Sequence, residues 1–278
     1  GGQSGNSICG AMLDCVGMMA DSMNLAEFAP IAKTVTPLLF GFMDMLEAIV
    51  VAANGQGSSS GTDVATLLLD VLKTCVRVAR SIQAGFSPFL PRLCKRLIIK
   101  ARLNAKPVEV SEEQAQSGTN SKLRFFHMET EAGSVALRGI DNALVEEKSL
   151  ACNLLYQLAS DLEGCLFQPY IRVTSDLMMP LMTYPYSPTI RVAAYSITPK
   201  LLQIQVQYFM EHPGAAINLK DALNFFQRPL VAALENERDL EARAMAAEAL
   251  SDLFRGCCVA THQRYSKVRN QFVDFKTE

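Results

Sequence analysis

Residues 167–204, FQPYIRVTSDLMMPLMTYPYSPTIRVAAYSITPKLLQI, constrain the fold more than any other stretch of the chain. They read as two facing helices joined by a tight turn. Phe167 precedes Pro169 in a Phe-x-Pro start, which puts proline at the first helical position, where a fixed φ and a missing N–H do no harm. Tyr170, Val173, Leu177 and Leu181 then recur at three- and four-residue steps, the period of one helix face. Pro180 lies within that helix and is expected to bend it. In the turn Tyr184-Pro185-Tyr186-Ser187-Pro188, Ser187 is placed to cap the second helix and Pro188 to start it. That helix is expected to bury Ile190, Ala193, Ala194, Ile197, Leu201 and Ile204. Two such helices leave much of their apolar stripes in water, so the pair needs neighbours.

The rest of the chain supplies them. Residues 8–24 predict a Met-rich second helix of a truncated repeat. Residues 26–84 predict a repeat opened by Phe28-Ala29-Pro30, and residues 86–165 a repeat opened by Phe86-Ser87-Pro88. The unit at 167–211 follows, then another pair at 217–258, and 261–278 starts a further truncated repeat. The chain is therefore expected to begin and stop within repeats, and the isolated fragment to self-associate through its uncapped apolar ends. Residues 104–145 interrupt one repeat with polar, glycine-punctuated sequence, within which 123–128 and 134–137 are placed to pair as a hairpin. The helix is expected to resume at Glu146, with Glu147 beside it at the positive end of the dipole. About 51 residues separate Pro188 from Asp239, against roughly 40–47 in tandem helix-pair repeats with loop variation. The predicted fold class is all-α, an α-α superhelix of HEAT- or ARM-type repeats forming one solenoid, with a small polar insertion suited to a β-hairpin.

With 278 residues, 49% hydrophobic and 19% charged, the chain can bury a large core and is too apolar to be disordered. No apolar run reaches the roughly 18–20 residues of a membrane span, and no basic-then-apolar leader opens the chain, so a soluble, intracellular protein is expected. A net charge of −2 exerts no global pull on nucleic acid or anionic membrane, and neither is an expected partner. The eight cysteines show no CxxC spacing; Cys75, Cys152 and Cys165 fall in helical segments as small hydrophobes, which fits a reducing compartment. Cys257-Cys258 reads as packing rather than redox chemistry.

Signals for catalysis are weak. Gly57-Ser58-Ser59-Ser60-Gly61 matches the GxSxG pattern of hydrolases but lacks the strand that must precede it, and reads as a linker. His127, His212 and His262 lack partners at metal-ligand spacing, and no phosphate-cradling GxxxxGK[ST] occurs. No catalytic, cofactor or metal site is predicted, and the chain is not expected to be an enzyme. Arg92, Lys95, Arg96, Lys100 and Arg102 read as a solvated face rather than a phosphate-binding one.

The second helices instead offer a row of polar faces opposite their buried stripes: Asp70, Lys73 and Arg77; Asn153, Gln157 and Ser160; Arg191, Tyr195 and Thr198; Glu241, Glu248 and Asp252. The candidate partner-binding residues are Asn153, Gln157, Arg191, Tyr195, Glu248 and Asp252, each with plain solvation as the competing reading. Asn153, Gln157, Glu248 and Asp252 suit a basic peptide, held by charge and amide hydrogen bonds. Arg191 and Arg243 also suit a brace between adjacent repeats. Glu237, six residues before Arg243, supports that role there, whereas Pro185 occupies the matching place before Arg191.

Residues 146–202 closely resemble the importin-beta superfamily of karyopherins, most of all a central fragment of its importin beta-3 branch. The match rests on Glu146-Glu147-Lys148-Ser149, on Leu177-Met178 followed by Pro180-Leu181, and on Arg191-Val192-Ala193-Ala194, in order and at similar spacing. The resemblance implies a piece of a much longer superhelical receptor for nuclear import, shuttling between cytoplasm and nucleus. Its second helices would face cargo proteins with basic import signals and Ran-GTP, which regulates cargo release. Its outer helices would meet phenylalanine-glycine nucleoporins. No site residue of the family carries over to a position here. The near-neutral charge departs from the acidic balance usual in that family, and the amino-terminal repeats that hold most Ran contacts lie outside this sequence. The alternative is a HEAT-repeat scaffold of the phosphatase regulatory-subunit type, whose even stacking with short turns fits the long insertion less well.

Overall fold

A computed structural model describes residues 2–54, 60–104, 107–109, 123–129, 135–212 and 219–274. Its helices are α1 (Gly2–Ser22), α2 (Leu25–Asn54), α3 (Ser60–Ile82), α4 (Leu90–Ala101) and α5 (Asn142–Asp161), followed by α6 (Ile171–Leu181), α7 (Pro188–Glu211), α8 (Leu219–Asn236) and α9 (Leu240–Asp274). α2 packs on α3, α4 on α5, α6 on α7 and α8 on α9. The second helices α1, α3, α5, α7 and α9 pack side by side in chain order. This is the sequential piling of helical hairpins expected of a HEAT-type solenoid.

The apolar stripes close each pair. Ile190, Ala193, Ala194, Ile197, Leu201 and Ile204 of α7 are all buried, as their spacing predicts. Phe28, Phe86 and Phe167, the three phenylalanines of the Phe-x-Pro segments, are each no more than 1% exposed. Their prolines act differently from expectation. Phe86 ends a 3₁₀ turn, Gln83–Phe86, and α4 starts only at Leu90; Pro169 sits in a 3₁₀ turn, Gln168–Tyr170, ahead of α6. In α2, Pro30 and Pro37 both lie inside a helix that begins earlier, at Leu25, where the Asn24 side chain accepts from the Glu27 N–H at 3.0 Å. A tight turn accommodates proline as well as a first helical turn does.

The insertion forms a small antiparallel sheet. Strand β2 (Leu123–Glu129) pairs with β3 (Val135–Asp141) from Leu123↔Asp141 to Glu129↔Val135, longer than the predicted hairpin. A short strand that the alternation did not show, β1 (Val108–Glu109), pairs with β3 on its other edge, giving the order β1-β3-β2. β3 runs directly into α5, and the Asp141 carboxylate accepts from the N–H groups of Ala143 and Leu144. α5 therefore starts at Asn142 rather than Glu146, because Asp141 supplies the cap and the negative charge at the dipole.

Two further expectations are corrected. α9 runs unbroken from Leu240 to Asp274, so no second helix begins near Thr261; Gly256 lies within the helix without ending it. By length and composition Leu25–Ala52 is long and apolar enough to cross a membrane, which counting uninterrupted apolar runs missed. In the fold this helix buries Phe28, Ala32, Leu39, Phe40, Met43 and Leu46 and packs on α3. Its Asp44 and Glu47 pair with Arg92 and Arg96 of α4, an arrangement of a solenoid helix.

Candidate functional site

The polar edges of the second helices show which candidate residues stay accessible and which hold the solenoid together. Glu237, in the turn between α8 and α9, receives the Arg191 guanidinium of α7 in a fork, Nε to Oε2 at 2.6 Å and Nη2 to Oε1 at 2.8 Å. The Tyr195 hydroxyl lies 2.8 Å from Glu237 Oε2 and 2.9 Å from the Met182 carbonyl, so its single proton serves either acceptor. The Asp239 N–H donates to Glu237 Oε1 at 3.0 Å, and Arg191 Nη1 donates to the Tyr184 carbonyl at 2.9 Å. Burial by itself would raise the Glu237 pKa, but the Arg191 hydrogen bond, with those of Asp239 and Tyr195, outweighs it and holds the carboxyl at about 2. Burial, then the Glu237 carboxylate, push the Tyr195 phenol above its ordinary value.

Arg191 and Tyr195 are thus tied into a brace between consecutive repeats, and Tyr195 is only 1% exposed. This corrects their assignment to a partner-binding face. The brace role expected for an arginine holds at Arg191, but Glu237 reaches back to the preceding repeat instead of forward to Arg243, which is exposed. Sequence spacing within one repeat cannot show a pair that closes between two. Other links join neighbouring second helices: Arg77 and Arg80 of α3 both pair with Asp21 of α1, and Arg80 also reaches Asp161 of α5 at 3.8 Å. Lys73 pairs with Asp70 within α3, and Thr198 is buried, bonded to the Ala194 carbonyl.

The remaining candidates stay accessible. On α5, Asn153 is half-buried and Gln157 exposed; on α9, Glu248 is exposed and Asp252, one turn on, is half-buried and paired with Arg255 at 3.2 Å. α7 packs against both α5 and α9, so these four residues flank it from either side. Between α7 and α9 lies a cavity of about 580 Å³ whose lining includes Lys200, Gln203, Gln207, Glu211, Asp252 and Arg255, with Val206, Met210 and Val259. Glu211 accepts from Gln207 at 3.0 Å and from the Cys165 thiol at 3.3 Å. Hydrogen bonding, chiefly from Gln207, lowers the Glu211 pKa, and burial raises that of Cys165 to about 11. Lys200, Gln203, Gln207 and Glu211 were absent from the predicted face, although their three- and four-residue spacing on one side of α7 marks them as a polar stripe.

The basic side of α4 is largely neutralised. Arg92 and Arg96 pair with Asp44, Arg96 also with Glu47, and Lys100 with Glu147; the face expected to be solvated is thus partly covered, with Arg96 and Lys100 held in ion pairs to neighbouring helices. Cys75, Cys94 and Cys152 are buried thiols whose pKa values burial pushes up to about 12. No group of three or more metal-ligating side chains occurs among the described residues. The Gly57–Gly61 segment lies mostly outside the described residues, with α3 beginning at Ser60.

No family profile and no curated protein matches the sequence. Solved structures do. The karyopherin Kap121p bound to RanGTP matches with a TM-score of 0.57 at 16% identity, over 94% of this chain and 28% of that one. Kap121p bound to the extreme C-terminus of the protein phosphatase Cdc14p gives a TM-score of 0.58 at 16% identity, over 92% and 28% of the two chains. Kap121p bound to Ste12p gives 0.56 at 15% identity, over 93% and 28%. The fold is therefore that of a karyopherin-type HEAT-repeat solenoid, the fold that the resemblance of residues 146–202 implied. The chain spans about a quarter of the length of these structures.

Proposed function

We propose that this chain is part of a nuclear transport receptor of the importin-beta superfamily, of the importin beta-3 type, and that it grips protein cargo on its second-helix face. The observation that carries the reading is the side-by-side row of α5, α7 and α9, with Asn153 and Gln157 accessible on α5, Glu248 and Asp252 accessible on α9, and Asp252 lining the α7–α9 cavity. The carboxylates of Glu248 and Asp252 and the amides of Asn153 and Gln157 suit an extended, lysine-rich import signal, whose stems lie on Val206 and Met210 and whose ammonium groups compete with Arg255 for Asp252. In the longer receptor this segment works with Ran-GTP and phenylalanine-glycine nucleoporins, shuttles between cytoplasm and nucleus, and catalyses no reaction. The solved structures that share the fold include complexes with RanGTP, Ste12p and the Cdc14p C-terminus, which supports partners of these kinds.

The test is binding of a fluorescent lysine-rich import-signal peptide. Saturable binding that weakens with added salt is expected, as is a loss of about 5- to 50-fold in the combined Asn153→Ala, Gln157→Ala, Glu248→Ala and Asp252→Ala variant, equivalent to roughly 1–2.3 kcal/mol. Affinity unchanged in that variant removes the assignment of these residues.

A further inference from the structure

Glu211 is placed against the local preference of its helix. It is the last residue of α7, at the negative end of the dipole, where a cation is favoured and a carboxylate is not, and the last turn of α7 holds no basic residue. Among the described residues no ion pair joins it to a cation. Its oxygens are held by neutral donors instead. Gln207 Nε2, one turn earlier, donates to Oε1 at 3.0 Å, and the Cys165 thiol, in the connection between α5 and α6, donates to Oε2 at 3.3 Å. A carboxylate has about four acceptor positions, so two remain open. His212, the next residue, stacks on Tyr208 with ring centroids 4.2 Å apart, and its Nδ1 lies 3.0 Å from the Tyr208 carbonyl. A charge set against local preference and left without a counter-ion marks a binding position more than a stabilising one.

The carboxylate also belongs to a formed groove. Glu211 lines the α7–α9 cavity together with Val206, Met210 and Val259, the last 51% exposed. The other charged groups of that lining are Lys200, Asp252 and Arg255. Lys200 stands three turns earlier on α7, about 16 Å away along the helix axis, and Arg255 pairs with Asp252 at 3.2 Å. Glu211 is therefore the anion of the groove for which a ligand cation has no cation of this lining to displace.

We propose that Glu211 is the principal acceptor for a lysine ammonium group of the bound segment, ahead of Asp252, with the lysine stem laid on Met210, Val206 and Val259. This rests on the reading of the second-helix face as a site for a basic peptide, and it fixes which carboxylate sets the peptide's register. An ammonium group donates three hydrogen bonds from a compact charge, and the open acceptor positions of Glu211 at the carboxyl end of α7 meet it with both a full and a partial negative charge. Gln207 and Cys165 are positioning residues: they orient the carboxylate and add no charge that competes with the lysine.

Fluorescence anisotropy with a labelled Ser-Lys-Val-Lys-Ser-Lys-Val-Gly peptide tests the assignment, alongside three peptides in which one lysine at a time becomes norleucine, which keeps the stem and removes the charge. Glu211→Gln should weaken binding of the parent peptide about fivefold or more, Asp252→Asn should weaken it less, and Glu211→Asp, which keeps the charge, should bind more tightly than Glu211→Gln. One norleucine peptide should lose about fivefold or more against the wild-type protein and show no further loss against Glu211→Gln, the mark of a direct pair. Three results overturn the proposal: equal affinity of wild type and Glu211→Gln, a larger loss in Asp252→Asn than in Glu211→Gln, or norleucine losses that are undiminished in Glu211→Gln for all three lysines. Any of these, with the parent peptide still bound by the wild type and weakened in the combined Asn153, Gln157, Glu248 and Asp252 variant, removes this inference alone. No saturable binding to the wild type up to about 1 mM removes the cargo reading and this inference with it.

Discussion

Glu237 sits just past the end of α8, 9% exposed, with Arg191 of the preceding repeat on both its oxygens and Tyr195 on one of them. Its carboxyl, held at about 2, lies well below an unfolded value near 4.5. A depressed carboxyl pKa contributes stability that is fully present above the unfolded value and is lost as pH falls toward the folded one. The difference corresponds to about 3 kcal/mol at neutral pH. Glu237→Gln should lower the free energy of urea unfolding by up to about that amount at pH 7. The gap between wild type and variant should close between about pH 4.5 and pH 2; a gap constant over that window would show that the charge of Glu237 is not what stabilises the brace.

Among the elements, the α4–α5 pair is the one that must survive an insertion between its helices, and Lys148 shows how. Lys148 is 5% exposed, and its ammonium group donates to the carbonyls of Ala101 at 2.6 Å and Leu103 at 3.1 Å, at the carboxyl end of α4 where the helix dipole favours a cation. It also lies 5.3 Å from the centre of the Tyr184 ring. Lys148 thereby pins the point where the chain leaves for the sheet, while Asp141 caps the point where it returns. Lys148→Met leaves two carbonyls without donors and should destabilise the protein by about 1–3 kcal/mol, read from thermal or urea unfolding. Burial lowers the Lys148 pKa, so the unfolded chain binds more protons there. In wild type, stability should therefore rise as pH rises from the lowered folded value toward the unfolded one, a trend that Lys148→Met should remove.

At the scale of the whole molecule, the second helices pack on one another in sequence order among the described residues, so stability is approximately a sum of nearest-neighbour terms. α3, α5 and α7 are flanked on both sides, whereas α1 and α9 are each flanked on one. Amide hydrogen exchange should accordingly be slowest in α3, α5 and α7 and faster in α1 and α9. Equal protection across all five helices would point to a single cooperative unit instead.

Helix positions, the pairing of first with second helices and the hairpin of the insertion were legible because they follow from local period, proline placement and capping residues. Ile190, Ala193 and Ile197 of α7 mark their buried face by spacing alone. β1 was not legible, since two residues carry no alternation, and neither was the continuity of α9 past Gly256, where composition suggested an end that helical hydrogen bonding overrides.

The candidate face divides along the same line. Asn153, Gln157, Glu248 and Asp252 could be placed on second helices from their phase in the helical repeat. That Arg191 and Tyr195 serve the neighbouring repeat, and that Lys200, Gln203 and Gln207 share a cavity with Asp252, depends on how one hairpin sits against the next. Local pattern by itself determined which residues form helices and which side of each helix is apolar, because those preferences act over three or four residues. Only the packing of hairpins decided which polar side chains remain free for a partner, because a charge satisfied by a residue more than forty positions away leaves no local signature.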